Sequence, residues 1–163
     1  MAMLGYMKVK VAGTEVEGGC TQKDVGAVKR EKACEVYAFD HTVELPVNVD
    51  TGLPTGSRVH RPIKVTVYLD QAAPLLEDAL CHGKEVEGDI WFVRNAQTPE
   101  GLEGYYHINF KTARVVSLRQ TTLPVLVEEN KRIPDLIEIG ITYSEITWEH
   151  LVASKSGADS WNG

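Results

Sequence analysis

No stretch of this chain approaches the ~20 consecutive apolar residues that a bilayer-spanning helix requires. The opening MAMLGYMKVKVAG lacks a positively charged head followed by an apolar core, because Lys8 and Lys10 interrupt its only hydrophobic run. These absences predict a chain that is made in the cytosol, does not insert in a membrane and carries no cleaved Sec-type signal; export by an unconventional route stays open. Cysteine is scarce as well: Cys20, Cys34 and Cys81 are an odd number with no CxxC spacing, which fits reduced thiols better than a disulfide framework. Positive charge is in deficit, with 17 Lys and Arg against 23 Asp and Glu. A sequence-independent grip on nucleic acid needs clustered cations, so no nucleic-acid partner is expected. The short cluster Lys29-Arg30-Glu31-Lys32 is interrupted by an acid and reads as solvated surface.

Catalytic and metal-binding patterns are missing too. There is no GxSxG elbow to expose a serine nucleophile, and residues 52–57 lack the lysine of a phosphate-binding loop. Asp40 and His41 are adjacent, and neighbours on a strand point to opposite faces, so they cannot form an acid–base couple. His41, His60, His82, His107 and His150 are scattered without HxH or HExxH spacing. No catalytic residue, cofactor-binding residue or metal ligand is therefore assigned, and no cofactor is expected.

What the chain does contain is period-two alternation. In Ile63-Lys64-Val65-Thr66-Val67-Tyr68-Leu69 the odd positions are apolar and the even ones polar or amphipathic, the mark of a half-buried strand. Similar alternation runs through residues 7–11, 34–45, 90–94, 106–110, 113–120 and 137–148. The parity of the last stretch flips after Ser144, which predicts a bulge or a change of sheet. Seven or eight strands suffice for a closed barrel or a sandwich. One segment departs from this pattern: residues 73–83 carry Pro74 near the start, Gly83 past the end, and Leu75, Leu76, Ala79 and Leu80 as a narrow apolar stripe. A short helix docked on the strands is expected there. With 163 residues, one domain over residues 1–152 is expected, followed by a flexible tail at 153–163 that Trp161 could anchor.

The connection over residues 46–59 is far longer than the usual 4–6 residues and is expected to make contacts. Asp50-Thr51-Gly52 and Pro54-Thr55-Gly56 can form consecutive turns, and Val47, Val49, Leu53 and Val59 supply apolar side chains that a purely solvated loop would not need. On the preceding strand, Tyr37, Phe39 and His41 share one face, expected in the core, while Cys34, Val36, Ala38 and Asp40 share the other.

The run Val36-Tyr37-Ala38-Phe39-Asp40-His41, then Gly52-Leu53-Pro54-Thr55-Gly56 and Arg58-Val59-His60-Arg61-Pro62, resembles the haemolysin-coregulated protein (Hcp) family, the tube subunit of type VI secretion. The likeness continues through Asp70, Pro74-Leu75-Leu76, Ala79-Leu80-Cys81, Tyr105-Tyr106, Val116-Ser117-Leu118-Arg119-Gln120, Thr142-Tyr143 and Ile146-Thr147-Trp148, so it covers most of residues 8–148. Three places depart from the family pattern: Gln71-Ala72-Ala73, Ser57 and residues 121–136. They put partner specificity and ring-stacking strength in doubt without touching the fold.

The resemblance implies a mainly β protein, a small antiparallel β-barrel of two packed sheets with one short flanking α-helix and a long extended loop. It further implies hexameric rings that stack into a tube within a contractile sheath, a VgrG-like spike at the tip, and effectors carried in the lumen during secretion. Such a role is structural and not enzymatic, cytoplasmic before firing and secreted afterwards. In that frame Val47, Val49, Asp50, Leu53, Thr55, Arg58, Val59, His60 and Arg61 become an assembly loop, the basic three pairing with acids of a neighbouring ring. Val36, Ala38 and Asp40 become candidates to face the lumen. The competing expectation is a monomeric β-barrel that binds or carries a small ligand.

Overall fold

In the computed structural model, which describes residues 5–160, the alternation read from the sequence resolves into eleven strands and one helix. The first half holds β1 (Gly5–Val11), β2 (Thr14–Val16), β3 (Cys34–Asp40), β4 (Val43–Glu44), β5 (Val59–His60) and β6 (Ile63–Tyr68). After α1 (Ala73–Cys81) come β7 (Val86–Asn95), β8 (Leu102–Thr121), β9 (Leu136–Thr142), β10 (Glu145–His150) and β11 (Lys155–Ser160). Strands β1, β3, β6, β9, β8 and β7 pair in that order and β7 returns to β1, so six antiparallel strands close a barrel with no free edge in its wall.

Alternation explains what fills it. Ile63, Val65 and Val67 of β6 are buried while Lys64 between them is exposed. Across the wall Val65 stands opposite Phe39 on one side and Ile139 on the other. Met7, Ile90, Phe110, Ile137, Ile139 and Ile141 complete an interior of fully buried side chains, each contributing about 1.5–3 kcal/mol over an exposed one. A second apolar cluster of Tyr6, Cys20, Val28, Ala33, Trp91 and Val93 lies where residues 17–33 cover the outer side of β1 and β7. Cys20 and Cys34 are buried free thiols and Cys81 is exposed.

Two features of the wall differ from the expected strands. Residues 106–110 and 113–120 are one strand, not two: β8 bends at Thr112, where φ is 49°, and passes from β7 and β10 to β9. The parity flip after Ser144 is a change of partner, since β9 pairs with β6 and β8 whereas β10 pairs with the first half of β8.

The helix forms where the sequence places it. Ala72 offers no capping side chain, so Asp70 substitutes: its Oδ1 accepts the Ala72 amide at 2.9 Å, and its Oδ2 accepts that of Gly19 at 2.9 Å. Gly83 adopts the left-handed conformation past the C-terminus. Leu76 and Ala79 dock on the barrel and Leu75 stays outside.

The tail is a correction. Residues 155–160 form β11, paired with all of β10, instead of a flexible end. Lys155-Ser156-Gly157-Ala158-Asp159-Ser160 has no apolar alternation to announce a strand; backbone pairing and the Asp159 side chain hold it. Trp161 lies outside the described residues.

Candidate functional site

Strand β3 ends at Asp40, earlier than the sequence pattern suggests, and the chain then leaves the barrel as an arm over residues 42–61. Its root closes with the Arg61 amide donating to the Thr42 carbonyl at 3.0 Å and β4 pairing with β5. Further out, Val47 bridges Pro54 and the Thr55 amide donates to the Pro46 carbonyl at 2.9 Å. The tip is organised by Asn48, whose Oδ1 accepts the amides of Asp50 at 2.8 Å and Thr51 at 3.2 Å. Gly52, with φ 68°, supplies the left-handed residue that turns the chain back. The expected pair of consecutive turns is thus a single ordered hairpin. On it Val49 is 95% exposed, Leu53 64% and Val47 53%, with Asp50 and Thr55 also in solvent.

A polar cluster fixes the arm's root. His60 Nδ1 lies 2.6 Å from the Tyr143 hydroxyl, and His41 Nε2 reaches the same hydroxyl at 2.7 Å. On its other side His60 Nε2 meets Asp159 Oδ2 at 2.7 Å. Arg58 grips that carboxylate with both Nε and Nη2, the latter at 2.7 Å from Oδ1, and Nη2 also donates to the Ser160 carbonyl at 2.9 Å. Both imidazoles lie roughly parallel to the Trp148 ring, at interplanar angles of 13° for His60 and 26° for His41. The arm, the end of β3, the β9–β10 turn and β11 therefore meet at one point.

Electrostatics follow from this packing. The Arg58 guanidinium and then His60 hold the Asp159 carboxyl down at about 2. Burial, followed by the charge of His60, lowers the His41 pKa against an opposing contribution from Asp40. Burial, with help from Asp159, raises that of the Tyr143 phenol.

Several sequence-level assignments change. Arg58 and His60, expected to reach acids of a neighbouring ring, pair with Asp159 of their own chain, and Arg61 pairs with Glu44 at 2.7 Å. Both acids are far enough from the basic run in sequence that no local spacing flags them. Val36, expected to face a lumen, is buried in the barrel core, and Tyr37, expected in the core, is exposed and meets Tyr68 edge-on at 4.4 Å. The cause is a bulge between Val36 and Ala38, which shifts the register against β6 and reverses the facing of every residue beyond it. Ala38 and Asp40 do point outward and are exposed. Val59 is half-buried at the root. Asn48, Tyr143, Trp148 and Asp159 belong to the site without having been singled out for it.

The departures also find places. Gln71 Nε2 donates to the Gly18 carbonyl at 3.0 Å, and Ala72 and Ala73 are buried at the helix start. Ser57 sits exposed on the arm. Residues 122–135 form an exposed connection with a 3-10 turn at Glu128–Arg132, and on it Leu126 is 95% and Val125 68% exposed.

A family model described as type VI secretion system effector, Hcp, matches residues 6–150. The chain belongs to the Hcp family. The major exported protein of Pseudomonas aeruginosa is 32% identical to this Hcp over 168 aligned residues, 99% of this chain and 96% of the relative. Among solved structures, a crystal structure of an Hcp protein superposes with a TM-score of 0.85 at 23% identity, covering 98% of this chain and 100% of the other. The secreted protein Hcp3 of P. aeruginosa superposes with a TM-score of 0.72 at 27% identity, covering 96% and 99%. Hcp1 of the E. coli EAEC 042 pathovar gives 0.80 at 23% identity, covering 98% and 99%. The mainly β barrel with one flanking helix is thus the Hcp fold, and the chain is a type VI secretion component.

Proposed function

We propose that this Hcp is the tube subunit of a type VI secretion system. Six copies close into a ring and rings stack into a tube inside a contractile sheath. A VgrG-like spike caps the tube, which leaves the cell with effectors in its lumen. The protein is assembled in the cytoplasm, is secreted without a cleaved signal, and acts as a structural carrier and not as an enzyme. Its similarity to the major exported protein of P. aeruginosa supports the secretion part of this reading.

One observation carries the assembly part: an ordered hairpin that projects Val47, Val49 and Leu53 into solvent. Ordering a loop costs about 1–2 kcal/mol per residue in backbone entropy, and an arm whose residues 42–58 are all exposed recovers little of it. Such a surface is explained by a neighbouring subunit that covers it. Cyclic and stacked assemblies need one surface of a subunit to meet a different surface of the next, and the exposed Val125-Leu126-Val127 stretch is a second, distinct apolar surface. Asp40 and Ala38, on the outward face of β3, are the residues proposed to line the lumen.

The alternative, a monomeric small-ligand carrier, finds less support, because the barrel interior where a ligand would sit is filled by Ile63, Val65, Ile90, Phe110 and Ile139. Negative-stain imaging of the purified chain tests the choice. Annular six-subunit particles are expected for the native chain, and stacks are expected to disappear when Val49→Asp and Leu53→Asp are combined while circular dichroism stays unchanged. A monomer at high concentration, with no rings in any field, would remove the tube reading.

A further inference from the structure

The root cluster contains more titratable groups than a purely mechanical joint needs. Hydrogen-bond directions within it can be assigned by requiring that each proton serve one acceptor. Asp159 is a carboxylate and accepts from His60 Nε2–H. With that proton on Nε2, a neutral His60 has a lone pair on Nδ1, which accepts from the Tyr143 hydroxyl. The Tyr143 oxygen in turn accepts from His41 Nε2–H. Both imidazoles are neutral in this arrangement and every proton has its acceptor.

One added proton is tolerated. With a proton on His60 Nδ1 as well as on Nε2, Tyr143 reverses, accepting from His60 and donating to His41, which moves its own proton to Nδ1. A second proton is not tolerated. With both imidazoles cationic, two N–H groups converge on one hydroxyl oxygen, the Tyr143 proton loses its acceptor inside the cluster, and two positive rings lie against the same indole. The side chain of His60 is only 5% exposed, so water is poorly placed to relieve this.

We propose that the His41–Tyr143–His60–Asp159 cluster is an acid-releasable latch that holds the assembly arm on the C-terminal β-hairpin at neutral pH and lets it go in acid. Of the charged groups around it, Asp159 on β11 and Asp40 on β3 work against release, Arg58 is paired to that same Asp159 and Arg61 to Glu44; what opposes a second proton is burial and the meeting of two imidazoles on one hydroxyl. Tyr143, from the β9–β10 turn, supplies a hydroxyl and no charge. Because the folded environment favours neutral His41, its contribution to holding the arm is complete above the ordinary imidazole value of about 6.5 and fades as pH falls below it. Release of the arm as a brake on ring stacking rests on the tube reading above; the latch itself does not.

Hydrogen–deuterium exchange of the full chain, read by mass spectrometry at about pH 7.5 and about pH 5 and corrected for intrinsic exchange chemistry, tests the latch. Peptides covering residues 43–60 are expected to exchange about tenfold faster per unit of pH once the second proton binds, while β6 and β9 keep their protection. In His41→Gln only one imidazole remains, and the acid response of the arm is expected to vanish; His60→Gln is the second such variant, with protection of β6 reporting that each is folded. An arm whose exchange does not change with pH in the native chain overturns the latch, as does an undiminished response in a folded His41→Gln. Imaging the same samples separates the two proposals. Rings with a pH-indifferent arm sink the latch alone, and an acid-releasable arm on a chain that never forms rings sinks the tube reading alone.

Discussion

Val65 and His60 stand close together in the chain, yet the molecule holds them by opposite means. Val65 is sealed between Phe39 and Ile139 in a wall whose strands pair on both sides, and these cross-strand neighbours are apolar. His60 meets the Tyr143 hydroxyl, the Asp159 carboxylate and the Trp148 indole, which come from different parts of the C-terminal hairpin. Apolar burial is non-directional and tolerates small movements, so it suits a wall that must stay closed. Hydrogen bonds depend on protonation and geometry, so they suit a joint whose position has to be specified. The barrel therefore carries the stability of the fold and the root cluster carries the placement of the arm, and mutations should separate the two.

The largest effect is expected in the wall. Ile139 is fully buried and lies between Val65 of β6 and Leu118 of β8. Ile139→Ala removes its packing and leaves a cavity, which should cost about 2–5 kcal/mol in urea unfolding. Exchange in the arm at neutral pH should be little changed as long as the chain is folded. A loss below about 1 kcal/mol, or an arm loosened as much as the wall, would break the division of labour.

This division also sets what could be read from the sequence. Period-two alternation at Ile63-Lys64-Val65-Thr66-Val67 reveals a wall strand because burial imposes a pattern on neighbouring residues. The helix is legible from Pro74, Gly83 and its apolar stripe for the same local reason, and the blocks from Val36 to Trp148 point to the Hcp family, to which the chain belongs. Asp159 gave no such sign: it lies far along the chain from His60, in a stretch of small polar residues whose strand is held by backbone pairing with β10. The bulge after Val36 was equally silent, because one extra residue reverses the facing of a strand without altering its composition. Within the arm, Val47, Val49 and Leu53 stand out in the sequence as apolar residues on a long connection and are exposed in the structure, whereas nothing in the sequence marks Asn48 as the residue that orders the tip.

A pair of glycines sharpens the comparison at intermediate size. A Cβ on Gly88 would lie 2.6 Å from the Lys8 carbonyl oxygen and 2.8 Å from the Phe110 ring, and neither the backbone of β1 nor a fully buried ring can easily yield. Gly88→Ala should cost about 1–3 kcal/mol by thermal or urea unfolding. On the arm, a Cβ at Gly56 meets no atom within 4 Å. Gly56→Ala should therefore stay within about 0.5 kcal/mol of the native chain. Equal costs at the two positions would mean that the arm is packed as tightly as the wall.

Among the ion pairs a small effect on folding is expected at Arg61, the cation of the arm that takes no part in the root cluster. Its Nε and Nη2 both approach Glu44 Oε1 at 2.7 Å, across the short β4–β5 ribbon. The geometry is good, but the side chains are 62% and 47% exposed, so water competes for both partners and salt screens them. Arg61→Ala should cost no more than about 1 kcal/mol in urea unfolding, and half a molar of added salt should shrink even that difference. The pair lies beside the root, however, so exchange of the Val43 and Glu44 amides should rise more than global stability falls. If instead Arg61→Ala destabilised the whole barrel as much as Gly88→Ala does, the arm would have to be counted as part of the cooperative core, and the contrast between His60 and Val65 would be one of chemistry alone, with no difference in what each holds in place.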